Sequence, residues 1–328
     1  MNIILLLFIA VALYFVFRRD YKEIIKSISG ISVPAFLALL AAGTGYQLLD
    51  AAACFTLIHS RVPQIKYRQA VEITFLGVFG NVSTFSAGII PMQSYYLSRY
   101  GVQPGSSIGM LILKYVFHKT TIFFYAAVML LVQNKWLRET MPELVHYIYL
   151  GFAVCAVIIL ALVLLCTWNG ARRLLRMLIE KLPDTEKWKD KKTVGMANLD
   201  YLYHEAQEVI KNPVSGLKIE IWNLLKLTWL YAVPFLTMRI LHISGPDFWN
   251  AQALTAIMFL ITGVLPNMAG IGPTEFAFLL LFSNYIGSAA ASSALILYRT
   301  ATYFWPFLLS IVVLRFIVRS GDVRSGGL

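Results

Sequence analysis

With 328 residues, 58% of them hydrophobic and only 14% charged, the chain has a mean hydropathy of +0.68. A soluble globule of this length could not hide that much apolar surface, so composition excludes one and points to a polytopic helical membrane protein. The net charge of +11 lies mostly beside apolar runs, where it sets orientation and meets anionic headgroups rather than nucleic acid.

The first apolar run, Asn2–Phe17, lacks a basic segment before it and is followed by Arg18-Arg19 instead of a small-residue cleavage site. It reads as a retained first helix and not as a signal peptide. Further apolar spans run over Val33–Ile58, Ser107–Val132, Val145–Thr167, Ile219–His242 and Gly287–Val318. Each approaches or exceeds the roughly 20 residues a helix needs to cross hydrocarbon. The runs are continuous instead of alternating, which excludes a transmembrane barrel. Cys54, Cys155 and Cys166 fall in apolar stretches without metal-ligand spacing, so they read as packing residues; no metal or cofactor is expected.

Two regions, Ala70–Leu97 and Trp249–Tyr285, are interrupted, and each is long enough for two half-helices. The first break holds Gly77, Gly80, Asn81, Ser83, Thr84, Ser86, Gly88 and Pro91; the second holds Gly263, Pro266, Asn267, Gly270, Gly272 and Pro273. Glycine opens φ/ψ space and proline removes a donor, so both act as helix breaks. One phrase occurs in both regions. Ala87-Gly88-Ile89-Ile90-Pro91-Met92-Gln93 is answered by Ala269-Gly270-Ile271-Gly272-Pro273-Thr274-Glu275. Paired breaks of this kind point to a transport site near the bilayer midplane.

Between the halves, residues 171–218 form the one extended hydrophilic segment. Leu174, Leu175, Leu178 and Leu182 repeat beside Arg172, Arg173, Arg176 and Lys181, the pattern of an amphipathic helix on an anionic surface or of a solvated linker. Tyr201–Lys211 reads as a second short helix. Loop charge places this linker and both chain termini in the cytoplasm of a multi-pass cell-membrane protein. The expected fold is therefore all-α, with about six full spans and two re-entrant helical hairpins. Residues 1–328 make one membrane domain, in which 33–132 and 219–318 are the two halves of an inverted repeat. If the first interrupted region crosses the membrane once instead, the repeat is harder to interpret.

Ionisable groups at membrane depth tend to mark pathways. Glu275 falls in the first turn of a half-helix, where a carboxylate is favoured; it caps that helix or handles substrate or protons. Arg299 lies mid-span, and needs a carboxylate, carbonyls or a lipid phosphate. A Glu275–Arg299 pair and a phosphate site are both open, and the two alternate if substrate displaces the pair. Lys114, His118 and Lys119 cluster in another span; they contact a headgroup phosphate or pair with Asp50 and Glu72. Asp50 is expected at a wet interface or cavity. Lys226 is expected to snorkel. Gln93 and Asn81 give the first hairpin an uncharged polar lining, and Tyr303 reads as a packing or interface aromatic. Enzyme signatures are absent: no Walker loop, no nucleophile elbow and no zinc-protease motif occurs, so catalysis is not expected.

The two phrases resemble the integral membrane (flippase) domain family of lysylphosphatidylglycerol synthases. Ser83-Thr84-Phe85-Ser86-Ala87-Gly88-Ile89-Ile90-Pro91-Met92-Gln93-Ser94-Tyr95-Tyr96-Leu97 is similar to the family's Thr-Pro-Phe-x-x-Gly-Gly-x-Pro-Met-Gln-x-Tyr-Tyr-Leu. Pro266 to Glu275 is similar to Pro-x-Pro-Gly-Gly-x-Gly-x-x-Glu, and Arg299 and Tyr303 match a later Arg and Tyr. Thr84, Ile89, Met268 and Ala269 depart from family Pro or Gly and soften both breaks. The resemblance implies translocation of an aminoacylated or other phospholipid between leaflets, without lysine transfer, since no synthase domain is present. The expected partners are anionic or aminoacylated lipids, with a second copy or a lipid-modifying enzyme as protein partner and no nucleic acid. On this reading Gln93, Glu275, Arg299, Lys114, His118, Asn81 and Tyr303 contact substrate. Two alternatives stand beside it: a proton-coupled carrier of a small polar solute with Glu275 as proton acceptor, and a non-transporting membrane partner of a lipid-modifying enzyme.

Overall fold

Long runs of Leu, Ile, Val, Phe and Ala fold as helices because in hydrocarbon every backbone N–H and C=O must be paired within its own segment. The structure, a computed structural model, describes residues 22, 25–26, 28–181, 186–264 and 272–325. Among them regular structure is helical, with no strand. In chain order the helices are α1 (Val33–His59), α2 (Tyr67–Ser83), α3 (Ile89–Ser98), α4 (Pro104–Val132), α5 (Asn134–Thr140), α6 (Pro142–Thr167) and α7 (Asn169–Glu180). After these come α8 (Glu186–Lys211), α9 (Pro213–Tyr231), α10 (Val233–Ile240), α11 (Phe248–Val264), α12 (Pro273–Ile286) and α13 (Ser288–Arg299). A π-helical turn over Thr300–Phe304 then leads into α14 (Trp305–Ser325).

Among the described residues, four helical stretches are long and apolar enough to cross a membrane: α1, α4, α6 and the run Ser288–Arg319. They expose large apolar side chains such as Leu131, Tyr147, Leu150 and Val157, a surface suited to lipid tails. The chain is thus a multi-pass membrane protein. The expected first span, Asn2–Phe17, lies outside the described residues. The span expected over Ile219–His242 is instead two helices, α9 and α10, which part at Ala232. Pro234 sits in the first turn of α10, where its missing N–H is tolerated, whereas inside one continuous helix it would remove a bond.

The chain forms two compact units. The first comprises its described residues up to Tyr46, then Tyr125–Phe152 and Leu227–Pro306. Its core gathers Leu39, Leu254, Ile257, Phe278, Phe282, Leu295 and Tyr298, with Phe278 stacked on Phe282 at 4.4 Å. The second comprises Gln47–Phe124, Ala153–Lys226 and the chain from Phe307. One of its cores joins Cys54, Ile58, Ile73, Leu76, Tyr96, Leu97 and Met110, and another joins Leu57, Leu113, Val116 and Cys166 to Leu202, Ala206 and Val209 of α8. The hydrophilic segment is therefore more than a solvated linker. Its second helix is the 26-residue α8 instead of Tyr201–Lys211 alone, and α8 buries an apolar stripe in that core.

The first interrupted region is a helical hairpin in the second unit, but its break differs from expectation. Gly77, Gly80, Asn81 and Ser83 belong to α2, and Pro91 lies in the first turn of α3, where backbone donors are unpaired anyway. The left-handed residues are Phe85 (φ 51°) and Ser86 (φ 75°), while Gly88 is right-handed. Glycine serves contact here: a Cβ on Gly80 would lie 2.8 Å from the Gly88 carbonyl oxygen. Of the second break, Pro266, Asn267 and Gly270 lie outside the described residues; Gly272 and Pro273 are described.

Candidate functional site

Each unit holds a charged centre within its helices. In the first unit the centre begins at Gly272, whose φ of +99° is a conformation that side chains with a Cβ rarely adopt. Pro273 follows as the first residue of α12, where a missing N–H is harmless. Three residues after Gly272, Glu275 turns back so that its Oε2 accepts the Gly272 N–H at 2.6 Å. This is the reciprocal arm of a capping box, and the helix N-terminus favours the carboxylate. Glu275 Oε1 is left to meet the Arg299 guanidinium, through Nε and Nη2. Only 8% of the Glu275 side chain and 11% of that of Arg299 are exposed.

The backbone around Arg299 is unusual. Arg299 ends α13, and the following π turn shifts the hydrogen-bond register, so that Trp305 N–H donates to the Thr300 carbonyl. Thr300 and Thr302 hydroxyls donate to the carbonyls of Ile296 and Tyr298, each at 2.8 Å, which supports acceptors at a point where the helical ladder is disturbed. One turn after Arg299, the Tyr303 ring lies 4.8 Å from the guanidinium carbon. Gly43 of α1 abuts this turn so closely that a Cβ there would fall 1.9 Å from the Ala301 carbonyl oxygen. On the same stretch of α1, Trp305 Nε1 donates to Thr44 Oγ1 at 2.9 Å and Trp229 Nε1 to the Ala42 carbonyl at 2.7 Å.

The centre of the second unit is built on Asp50. Its Oδ2 accepts Lys114 Nζ at 2.6 Å and its Oδ1 accepts Lys226 Nζ at 2.9 Å, while Lys226 also donates to Asn223 Oδ1 at 2.7 Å. Lys226, 1% exposed, is the most enclosed cation here, so it does not snorkel, and Asp50 is half-buried in an ion triad instead of lying open at a wet surface. His118 lies one turn from Lys114 on α4. Its Nδ1 and Asn223 Nδ2 are buried without a hydrogen-bond partner among the described residues. Further along, Thr121 Oγ1 donates to Glu220 Oε2 at 2.6 Å. The α4 residues Lys114, His118 and Thr121 thus share a polar seam with Glu220, Asn223 and Lys226 of α9. Lys119 lies over the Tyr115 ring, and Glu72 pairs with Arg68 and the Tyr96 hydroxyl instead of with Lys114.

In the hairpin, Gln93 is buried, and its amide donates to the Ile73 carbonyl at 2.8 Å. Asn81 holds the turn: its Oδ1 accepts Ser86 Oγ and its carbonyl accepts Ser86 N–H, both at 2.8 Å. The second unit also carries a cleft of about 920 Å³, lined by Arg61, Tyr100, Ser106, Arg172, Asp200 and Glu205 among others. Arg61 spans Glu205 and Glu208 at 3.0 and 2.9 Å. The hydrogen bond from Lys211, with Arg61 nearby, holds the Glu208 carboxyl below its usual range.

Of the residues expected to meet substrate, Glu275, Arg299 and Tyr303 come together in the first unit; Lys114 and His118 share one centre of the second, and Gln93 and Asn81 share its hairpin. Sequence reasoning missed Asn223 and misjudged Lys226. The signal was present, because Glu220, Asn223 and Lys226 recur at intervals of three along a largely apolar helix. Both centres combine ammonium or guanidinium groups with carboxylates, a donor set suited to oxyanions. A family model described as the lysylphosphatidylglycerol synthase TM region matches residues 2–310. A search of curated proteins finds no match.

Proposed function

Because the chain belongs to the lysylphosphatidylglycerol synthase transmembrane family, a family of membrane domains tied to lipid, we propose that it moves a phospholipid between the leaflets of the cell membrane. The observation that carries this reading is the Glu275–Arg299 pair, enclosed in the helices of a membrane protein and joined to a broken backbone at Gly272. Beside the pair lie a positive-φ glycine and a π turn, irregular backbone of the kind that at membrane depth is buried in protein or lines a cavity. A guanidinium fork binds a phosphodiester as well as it binds a carboxylate, so a headgroup phosphate competes with Glu275 for Arg299. Displaced Glu275 keeps its bond to the Gly272 N–H, and Arg299 keeps the Tyr303 face. Neither partner is left bare during the exchange.

On this reading the Asp50–Lys114–Lys226 triad and His118 supply a second cationic station for the headgroup, and Gln93 and Asn81 line the first hairpin. The two interrupted regions are re-entrant hairpins of an inverted repeat, with the linker and termini in the cytoplasm. The lipid is anionic or aminoacylated, and the chain changes its position without changing its chemistry.

The test is lipid translocation in proteoliposomes, read by leaflet-selective quenching of a fluorescent phosphatidylglycerol. Wild type is expected to exceed empty vesicles. Glu275→Gln and Arg299→Ala are each expected to slow translocation at least about tenfold, the effect of losing roughly 1.4 kcal/mol. Wild-type rates equal to those of both folded variants, or of empty vesicles, would refute the proposal.

A further inference from the structure

Helix α7 begins two residues after α6 ends at Thr167, and α6 is one of the stretches fit to cross a membrane. A helix tethered so tightly to a membrane span starts at the membrane surface. Trp168 marks the junction: its indole is 59% exposed and folds back over Gly170, where a Cβ would lie 2.6 Å from the ring. Tryptophan is favoured at headgroup depth. No residue of α7 is buried. Leu174, Met177 and Leu178 fall on one side of the helix and are each more than half exposed. Arg172 and Arg176 fall on the other, and Arg173 lies at the boundary beside Met177.

The arginines are only partly engaged. Asp200 of α8 holds Arg172 at 3.4 Å and Arg176 at 2.9 Å, and Arg172 also lies 4.4 Å from the Tyr203 ring centroid. One carboxylate thus serves two guanidinium groups, and 40% of the Arg176 side chain remains exposed, with Nε buried and lacking a hydrogen-bond partner among the described residues. Arg173 is exposed. Apolar side chains on one flank, guanidinium groups on the other and a start at the end of a span together match the surface of an anionic bilayer.

We infer that α7 is an interfacial helix that reads anionic phospholipid. Leu174, Met177 and Leu178 embed at the headgroup–acyl boundary, and Arg172, Arg173 and Arg176 bind lipid phosphates in competition with Asp200. Because Arg172 and Asp200 also line the cleft of the second unit, lipid capture by Arg172 alters that cleft. This inference does not depend on lipid being transported.

The test uses the full chain in nanodiscs of phosphatidylcholine alone and of an equimolar phosphatidylcholine–phosphatidylglycerol mixture. A nitroxide is placed by Met177→Cys, with Lys189→Cys on exposed α8 as reference, and its access to oxygen and to a water-soluble nickel chelate is compared. The Met177→Cys label is expected to be bilayer-immersed. Its immersed population should rise at least about fivefold with phosphatidylglycerol, the effect of one arginine held at an anionic surface. Replacing all three arginines by Gln should abolish that rise, and Asp200→Asn, which removes the internal competitor but no arginine, should enlarge it. A label as water-accessible as the reference in both membranes would overturn the inference. So would a phosphatidylglycerol response that survives the triple replacement in a chain with a normal thermal transition, or one that Asp200→Asn leaves unchanged.

Discussion

Asp50 faces two ammonium groups with one carboxylate, and the balance of that centre rests on it. Removing a single partner from an enclosed ion cluster leaves charge without compensation, at a cost of about 3–5 kcal/mol. Asp50→Asn should therefore lower the thermal midpoint of the detergent-solubilised chain markedly. Lys226→Met should do so less, since Asp50 keeps Lys114 and the new side chain fits apolar surroundings. A larger drop for Lys226→Met would contradict this ordering, and differential scanning fluorimetry would reveal it. At this scale the sequence was informative about which residues matter and less so about their partners. The pairing of Glu275 with Arg299 was legible because each was a costly ion in an apolar run. Lys226 was misread because nearness to the end of an expected span was taken as access to water, while the span in fact divides at Ala232.

At the scale of elements, α1 meets the π turn through a glycine that admits almost no substitution. A methyl at Gly43 would lie 1.9 Å from a backbone oxygen, which no side-chain rotation relieves. Gly43→Ala should destabilise by at least the 1–3 kcal/mol typical of overpacking, read as a lower thermal midpoint. Gly151→Ala in α6 is the control, since its Cβ would meet nothing within 4 Å. An equal loss for both would show that the close approach is not responsible. Helix existence was readable from apolar runs, and so was the amphipathic character of α7. The turn in the first hairpin was not, because Phe85 and Ser86, instead of a glycine, take left-handed backbone. Asn81 provides the compensation by holding Ser86 through two hydrogen bonds, a contact five residues apart that propensity alone does not reveal.

For the molecule as a whole, each compact unit is assembled from three separated chain segments. The first unit needs Leu227–Pro306 to complete a core that also uses Leu39 and Leu130. Such non-local closure ties the stability of that unit to distant parts of the chain. A fragment ending at Lys226, which keeps most of the second unit but not the first unit's core, should consequently melt well below the full chain in detergent, although its apolar spans still insert. A sharp transition near that of the full chain would disprove this. Composition made the membrane class plain, and the first copy of the doubled phrase marked a helical hairpin, while the second break lies partly outside the described residues. The division into units was not visible, because a periodic pattern identifies the helices but does not say which part of each helix joins which core.

The π turn after Arg299 has one more consequence. Such a turn is an α-helix carrying one surplus residue, which is taken up by widening a single turn while the regular segments on either side keep their phase. Excising one residue from Thr300–Phe304 would let the ladder close as a regular α-helix and would take away the widened turn against which Gly43 now packs. The seat for α1 is thus written as a length, one residue more than a regular helix requires.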